Sequence, residues 1–164
     1  MIASIYKAVS EYAGTQMPWL AYIDLQKGQI RRPAQTYPIP LPALLVEFRS
    51  ISYGHLVQGK QLVSMQIRLS LYLQLLTDTH QGALMQEESL MMLSRIEEVK
   101  QHFDGLLING SCRLLNQADL QPEFGTDYMA YHSDYSSSFY IKSAVLRRAK
   151  NNQTLIDLKE WISD

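Results

Sequence analysis

A single cysteine in 164 residues, Cys112, excludes an internal disulfide and any all-cysteine metal site. Its expected role is that of a small buried hydrophobe with an inert thiol. No apolar run approaches the ~20 residues needed to span a bilayer. The first residues, interrupted by Glu11 and other polar side chains, lack the basic and apolar layout of a signal peptide. Charge of one sign is missing too. Against 15 Lys and Arg stand 16 Asp and Glu, a formal net charge of −1 without the basic excess of a dedicated nucleic-acid binder. These absences lead us to expect a soluble, intracellular chain that recognises neither nucleic acid nor membrane directly. What remains is globular: 46% hydrophobic and 19% charged residues, on a length that suits one domain with its own core.

Two long runs of strict alternation dominate what is present. In the first, Val63, Met65, Ile67, Leu69, Leu71, Leu73 and Leu75 occupy every second position, with Ser64, Gln66, Arg68, Ser70 and Gln74 between them. Only Tyr72 breaks the polar set. The second run places Tyr131, Ser133, Tyr135, Ser137, Phe139, Ile141, Ser143 and Val145 on one face, and His132, Asp134, Ser136, Ser138, Tyr140 and Lys142 on the other. Strand side chains alternate faces, so each run predicts one strand with a buried and a wet face. At ~3.3 Å per residue the first run reaches roughly 45 Å, beyond the usual strand of about 3–10 residues. A strand that outgrows its own small core meets something else, which points to assembly.

Elsewhere, Ile2, Ile5, Tyr6, Val9, Tyr12 and Ala13 form an apolar helical stripe that Gly14 is placed to end. Prolines between Pro33 and Pro42 predict an extended surface connector. Leu44 to Tyr53 suits a strand, joined through a wide Gly54–Gly59 loop to the first long run. A helix is expected from about Gln81 to Phe103, with Met85, Met92, Ile96, Val99 and Phe103 inward and Asp78 or Thr79 as cap. Leu84, Leu90, Met91 and Leu93 widen its apolar arc and suggest contact on more than one side. Asn109-Gly110 signals a hairpin between Leu106–Ile108 and Ser111–Leu115, and Gln117–Thr126 reads as a loop. The expected fold is therefore α+β: a mainly antiparallel sheet of long strands with an N-terminal helix and one long helix packed on one face. It occupies residues 1–150 as a single domain. Residues 151–164 form a tail, whose Leu155, Leu158, Trp161 and Ile162 suit a short docking helix.

Chemistry is sparsely signalled. Gly54 to Gln61 nearly matches a phosphate-binding loop, but Gln61 replaces the magnesium-holding hydroxyl and a strand follows where a helix is required. His132 and Asp134 share a strand face without the third ligand a zinc site wants. Cys112 has no activating base beside it, and neighbouring Arg113 points to the opposite face. Arg31-Arg32 and the Arg147, Arg148, Lys150 cluster read as solubilising ends, unless several copies sum their charge around a channel. No catalytic set, cofactor site or metal site is expected.

The order helix, strand hairpin, long helix, strand hairpin resembles the tail-terminator and head–tail joining proteins of long-tailed bacteriophages. The likeness rests on Ile2–Ala13, Pro42–Phe48, Leu62–Leu75, Gln81–Phe103 with Asp104-Gly105-Leu106, and Tyr131–Val145. The resemblance implies a small α+β subunit that closes into a homo-oligomeric, six-membered ring on the tail tube, stops its growth and meets the head-side connector. It implies partners in further copies of itself, the tube protein and that connector, and a place in the cytoplasm during assembly and in the virion afterwards. The Pro33–Pro42 connector and the 151–164 tail depart from the pattern, and either suits contact with a neighbouring subunit. Under this reading the contact residues are His55, Lys60, Arg68, Tyr72, Tyr131, Tyr135, Tyr140 and Trp161, with the Gly54–Lys60 loop facing tube or head. A head-completion or neck protein is the alternative within the same context. A small-molecule-binding or enzymatic domain using His132 and Asp134 is the alternative outside it.

Overall fold

The computed structural model describes residues 1–29, 39–57, 60–74, 80–119, 122–125 and 127–142. Helix α1 (Ile2–Gln16) is followed by β1 (Tyr22–Leu25), β2 (Ala43–Val57) and β3 (Lys60–Gln74). Then come α2 (Gln86–Phe103), the short β4 (Leu107–Ile108) and β5 (Cys112–Arg113), β6 (Leu115–Asp119), β7 (Glu123–Phe124) and β8 (Tyr128–Lys142). The main sheet runs β1-β2-β3-β8-β6, with β7 pairing β8 beyond the end of β6. All its pairings are antiparallel except β1 with β2. The chain is thus α+β, with a mainly antiparallel sheet and two helices.

Alternation places the core. Val63, Met65, Ile67, Leu69, Leu71 and Leu73 of β3 lie beside Leu44 and Val46 of β2 and Met129, Tyr135 and Phe139 of β8, all buried in one cluster. Ile5, Val9 and Ala13 of α1, continued by Met17, recur every four residues and cover this face. Val99 and Phe103 of α2 complete the cover, together with Ile108, Cys112 and Leu114. Cys112 is buried, its thiol donating to Ser137 Oγ at 3.2 Å and pushed up in pKa by burial. The opposite face holds only a small apolar cluster at one end, Ala43, Leu45, Tyr72 and Ala130, against which Ile39 and Leu41 pack. Leu41 is joined to Pro42 by a cis bond; residues 33–38 of the expected Pro33–Pro42 connector lie outside the described residues.

Several expected boundaries move. Gly14 does not end α1, which continues to Gln16 and closes with the Met17 N–H on the Ala13 carbonyl. Helix α2 starts at Gln86, not Gln81, because Gly82 takes φ +83°, a conformation no right-handed helix contains, and turns fill 80–85. The expected caps Asp78 and Thr79 lie outside the described residues. Residues 54–57 of the expected Gly54–Gly59 loop are instead strand, with 58–59 outside the described residues: pairing continues through Leu56↔Gln61 and Val57↔Lys60, and Gln61 Nε2 donates to the Gly54 carbonyl. Part of the expected 117–126 loop is strand as well, in β6 and β7. Asn109 (φ 51°) and Gly110 (φ 70°) make the predicted tight turn, with Ser111 N–H bonded to the Ile108 carbonyl.

Two irregularities interrupt the β2–β3 ladder, one between Phe48 and Ser50 and one between Tyr53 and Leu56. Phe48 pairs with Ile67 and Ser50 with Gln66, which leaves Arg49 as an extra residue, a β-bulge.

Candidate functional site

The face of the sheet opposite the helices is polar along its middle. There β3 and β8 run in register, so Arg68 lies directly opposite Asp134 and Ser70 opposite His132. Arg68 grips Asp134 with two parallel bonds, Nε to Oδ1 at 2.7 Å and Nη2 to Oδ2 at 2.8 Å. Such a fork is among the stronger ion-pair geometries. It holds the Asp134 carboxyl below the usual carboxylate range and the Arg68 guanidinium above its own. The bulged Arg49 comes to 4.0 Å from the same carboxylate, and Glu47 pairs across from Arg68.

His132 is held in the same strip. Its Nδ1 lies 2.8 Å from Ser70 Oγ and its Nε2 faces Glu123 Oε2 at 3.5 Å. Burial, and then the nearby Arg68 charge, lower its pKa below the ordinary 6.5, which favours the neutral ring. The neutral ring fits one tautomer, accepting from Ser70 at Nδ1 and carrying its proton on the Glu123 side. Tyr72 meets the His132 ring edge-on at 6.2 Å and Tyr128 at 5.4 Å, and its hydroxyl accepts from Gln26 Nε2. Two shallow depressions of about 300 and 370 Å³ flank this strip and share Arg49.

The chemistry of the strip is restricted by these bonds. Asp134 is spent on Arg68, and Ser70 is 1% exposed beneath the imidazole it bonds. His132 and Asp134 do share a face, as alternation requires, yet each has its own partners. Among the described residues no group of three metal-ligating side chains comes together.

A second surface lies at the Lys60 end of the sheet. Val63 and Phe139 are the last buried pair there, and the ladder runs three rungs further, through Leu62↔Tyr140, Gln61↔Ile141 and Lys60↔Lys142. Tyr140 is 64% and Tyr53 55% exposed at this end, with His55, Lys60 and Lys142 also exposed. Of the residues expected at contacts, His55, Lys60 and Tyr140 are therefore brought to one end, in solvent.

The others are not. Arg68 sits at mid-strand, largely enclosed in its pair with Asp134. Tyr131 is partly buried against the main core. Tyr72 and Tyr135 are 4% and 0% exposed, and their rings pack inside this one chain. Tyr135 packs against Phe103, and its hydroxyl, beside Asn116 and Ser133 but without a hydrogen bond of good geometry, has its pKa pushed up to about 12 by burial. Parity with Phe139 and Ile141 already assigned it to the covered face. Trp161 lies outside the described residues. Sequence reasoning missed Tyr53 at the projecting end, and missed Arg49, whose bulge is signalled by the break in apolar parity between Phe48 and Ile51.

Comparison with known protein families and with curated protein sequences gives no match for this chain.

Proposed function

We propose that this chain is a structural subunit of a phage or prophage tail: a terminator whose copies close into a homo-oligomeric ring, a hexamer in the simplest case, that caps the tail tube and joins it to the head. In this role it catalyses nothing, assembles in the cytoplasm and ends in the virion. One observation supports the reading most: the β3–β8 ladder continues three rungs past its last buried pair, with Tyr140 in solvent beyond that pair and Tyr53 in solvent opposite Val63. Strands of 15 residues exceed the usual length, and Lys60↔Lys142 lies beyond Ile141, the last residue of β8 that packs against the core. Projecting aromatics are the side chains that anchor protein interfaces, and a ring of heterologous contacts requires one such surface on each copy to match a different one on the next. Stable contacts of this kind bury on the order of 800 Å² per partner.

Electron microscopy of particles from cells with and without the gene tests the reading. Tails of uncontrolled length in the deletion are the expected result; normal tails lacking heads move the chain to the neck, and unaltered particles remove it from the tail. A second reading, a small-molecule site on the polar face, draws support from the depression of about 300 Å³ beside Ser70 and His132. It ranks below the first because both candidate groups are already bonded within the protein.

A further inference from the structure

The first half of α2 carries an apolar surface that nothing in the described chain covers. Leu84, Met85, Leu90 and Met91 are exposed by 103%, 52%, 49% and 57%. The core-facing stripe of the same helix is complete without them: Ser89, Val99 and Phe103 are buried, and Met92 and Ile96 pack partly against the cluster. Leu90 and Met91 therefore lie on the far side of a helix that already has its partner. Four large apolar side chains are thus exposed within eight positions, two in the turn leading into α2 and two on the helix, and clustered apolar exposure marks contact sites.

The position of the patch can be fixed from its neighbours. The Arg95 guanidinium stacks 4.6 Å from the Trp19 ring centroid, and Trp19 Nε1 donates to Glu98. Trp19 stands just ahead of Ala21, whose N–H bonds the Pro42 carbonyl, and the adjoining Ala43 pairs with Tyr72 near the Gln74 end of β3. Phe103 meets Tyr135, which pairs with Ile67 at mid-strand. Helix α2 thus enters over the Gln74 end and runs toward the middle. Its first turn lies roughly 14 Å before Arg95 at ~1.5 Å per residue.

The chain itself contains a segment of matching chemistry. Leu155, Leu158, Trp161 and Ile162 recur at helical spacing, and Arg147, Arg148 and Lys150 precede them. A stretch this short does not hold helical form alone and needs an apolar partner. The patch on α2 offers aliphatic side chains flanked by exposed Glu87 and Glu88, opposite in sign to the three cations.

Reach favours a neighbouring copy. Strand β8 ends at Lys142, paired with Lys60, at the end of the sheet away from the patch. At ~3.3 Å per residue the two ends of β3 are about 46 Å apart. From Ser143 to Leu155 there are 13 residues, which span about 43–47 Å only when fully extended, barely that distance itself. Engagement of its own patch would require a straight chain laid along the whole sheet, whereas an adjacent subunit can bring the patch close.

We propose that residues 151–162 of one copy dock, through Leu155, Leu158, Trp161 and Ile162, onto the Leu84–Met91 surface at the start of α2 in a neighbouring copy. The inference rests on the ring reading and names the arm that ties one subunit to the next.

Directed cross-linking of the full chain tests it. One preparation carries Met91→Cys and another Leu158→Cys, with buried Cys112 retained and the unsubstituted chain as control. Under mild oxidant, a disulfide-linked dimer is expected from the mixture and from neither variant alone. Three results overturn the proposal: an internal cross-link in the double variant without dimer, showing that the arm docks at home; dimers of Met91→Cys by itself, showing that patches pair with each other; or no cross-link at all. Independently, Met91→Glu alters an exposed side chain and leaves the fold intact. Sedimentation should show it falling toward the 18.8 kDa single chain, with the assembly midpoint raised at least tenfold; an unchanged midpoint contradicts the arm. If Met91→Glu protein still ends tails at normal length while the gene deletion does not, the terminator reading survives and the arm is lost.

Discussion

The three central strands present two unlike faces built from the same residues' alternation. On the covered face every position of β3 from Val63 to Leu73 is aliphatic, buried and packed beneath two helices. On the open face the intervening positions are Ser64, Gln66, Arg68, Ser70 and Tyr72, tied sideways to β8 by the Ser64–Ser138, Arg68–Asp134 and Ser70–His132 contacts. Stability on the first face comes from area removed from water. On the second it comes from cross-strand pairs, which contribute about 0.2–1 kcal/mol each. The comparison teaches that one face holds the fold while the other holds the register, since each polar pair lines up one residue of β3 with one of β8.

The sharpest way to break this contrast is a large-to-small change on the covered face. Leu69→Ala removes a side chain that is 1% exposed, and it should cost about 2–5 kcal/mol in urea unfolding. Ser136→Ala, opposite Gln66 on the open face, should stay within about 0.5 kcal/mol. Equal effects would mean that the two faces do not differ as described.

An intermediate effect is expected from the Arg68–Asp134 fork. Asp134→Asn leaves a guanidinium with 18% of its side chain exposed facing a neutral partner, a loss of about 1–3 kcal/mol. The sign of the pH dependence follows from the depressed carboxyl. Its contribution is complete above the unfolded value near 3.8 and is lost as pH falls below that through the folded value. Acid unfolding curves should therefore steepen below about pH 4 in the unsubstituted chain and be flatter there in Asp134→Asn. Parallel curves would show that the fork contributes nothing to the fold.

The smallest change runs in the opposite direction. Gly14 lies inside α1 where the helix crosses β1, and a Cβ there would sit 3.8 Å from Ile23 Cδ1, an ordinary contact. Gly14→Ala should raise stability by about 0.5–1 kcal/mol, read as a higher thermal midpoint. A lower midpoint would show that the covered face has no slack at that crossing.

What could be read from the residues was mainly the faces. Alternation through Val63–Leu73 and Tyr131–Ile141 placed nearly every inward side chain, because the period of a strand leaves no freedom in which side a residue takes. Strand neighbours were not legible, since alternation carries no pairing partner, and β3–β8 adjacency joins residues 66 apart at Arg68 and Asp134. The start of α2 was misplaced because Leu84 and Met85 continue the apolar composition while the backbone at Gly82 forbids a helix. Strands β6 and β7 were taken for loop because they are short and largely exposed, so their sequence carries little inward–outward signal. Among the residues expected at contacts, His55, Lys60 and Tyr140 are exposed, as their place near a strand end suggests, whereas Tyr72 and Tyr135 are buried, because an aromatic ring on a strand suits a core and an interface equally well.

The bulge at Arg49 works in space as a suppressor works on an inserted base. Upstream of it, even-numbered residues of β2 point toward the helices; downstream, Ile51 points inward while Ser50 and Ser52 join the open face, where Ser50 meets Gln66. Counted as an ordinary rung, Arg49 would scramble the message beyond it, turning Ile51 and Tyr53 to the open side and carrying two serines toward the helices. The bulge takes that one residue out of the count. The stretches of β2 on either side of it, Ala43–Phe48 and Ser50–Tyr53, are thus written in opposite phases, with one arginine as the punctuation between them.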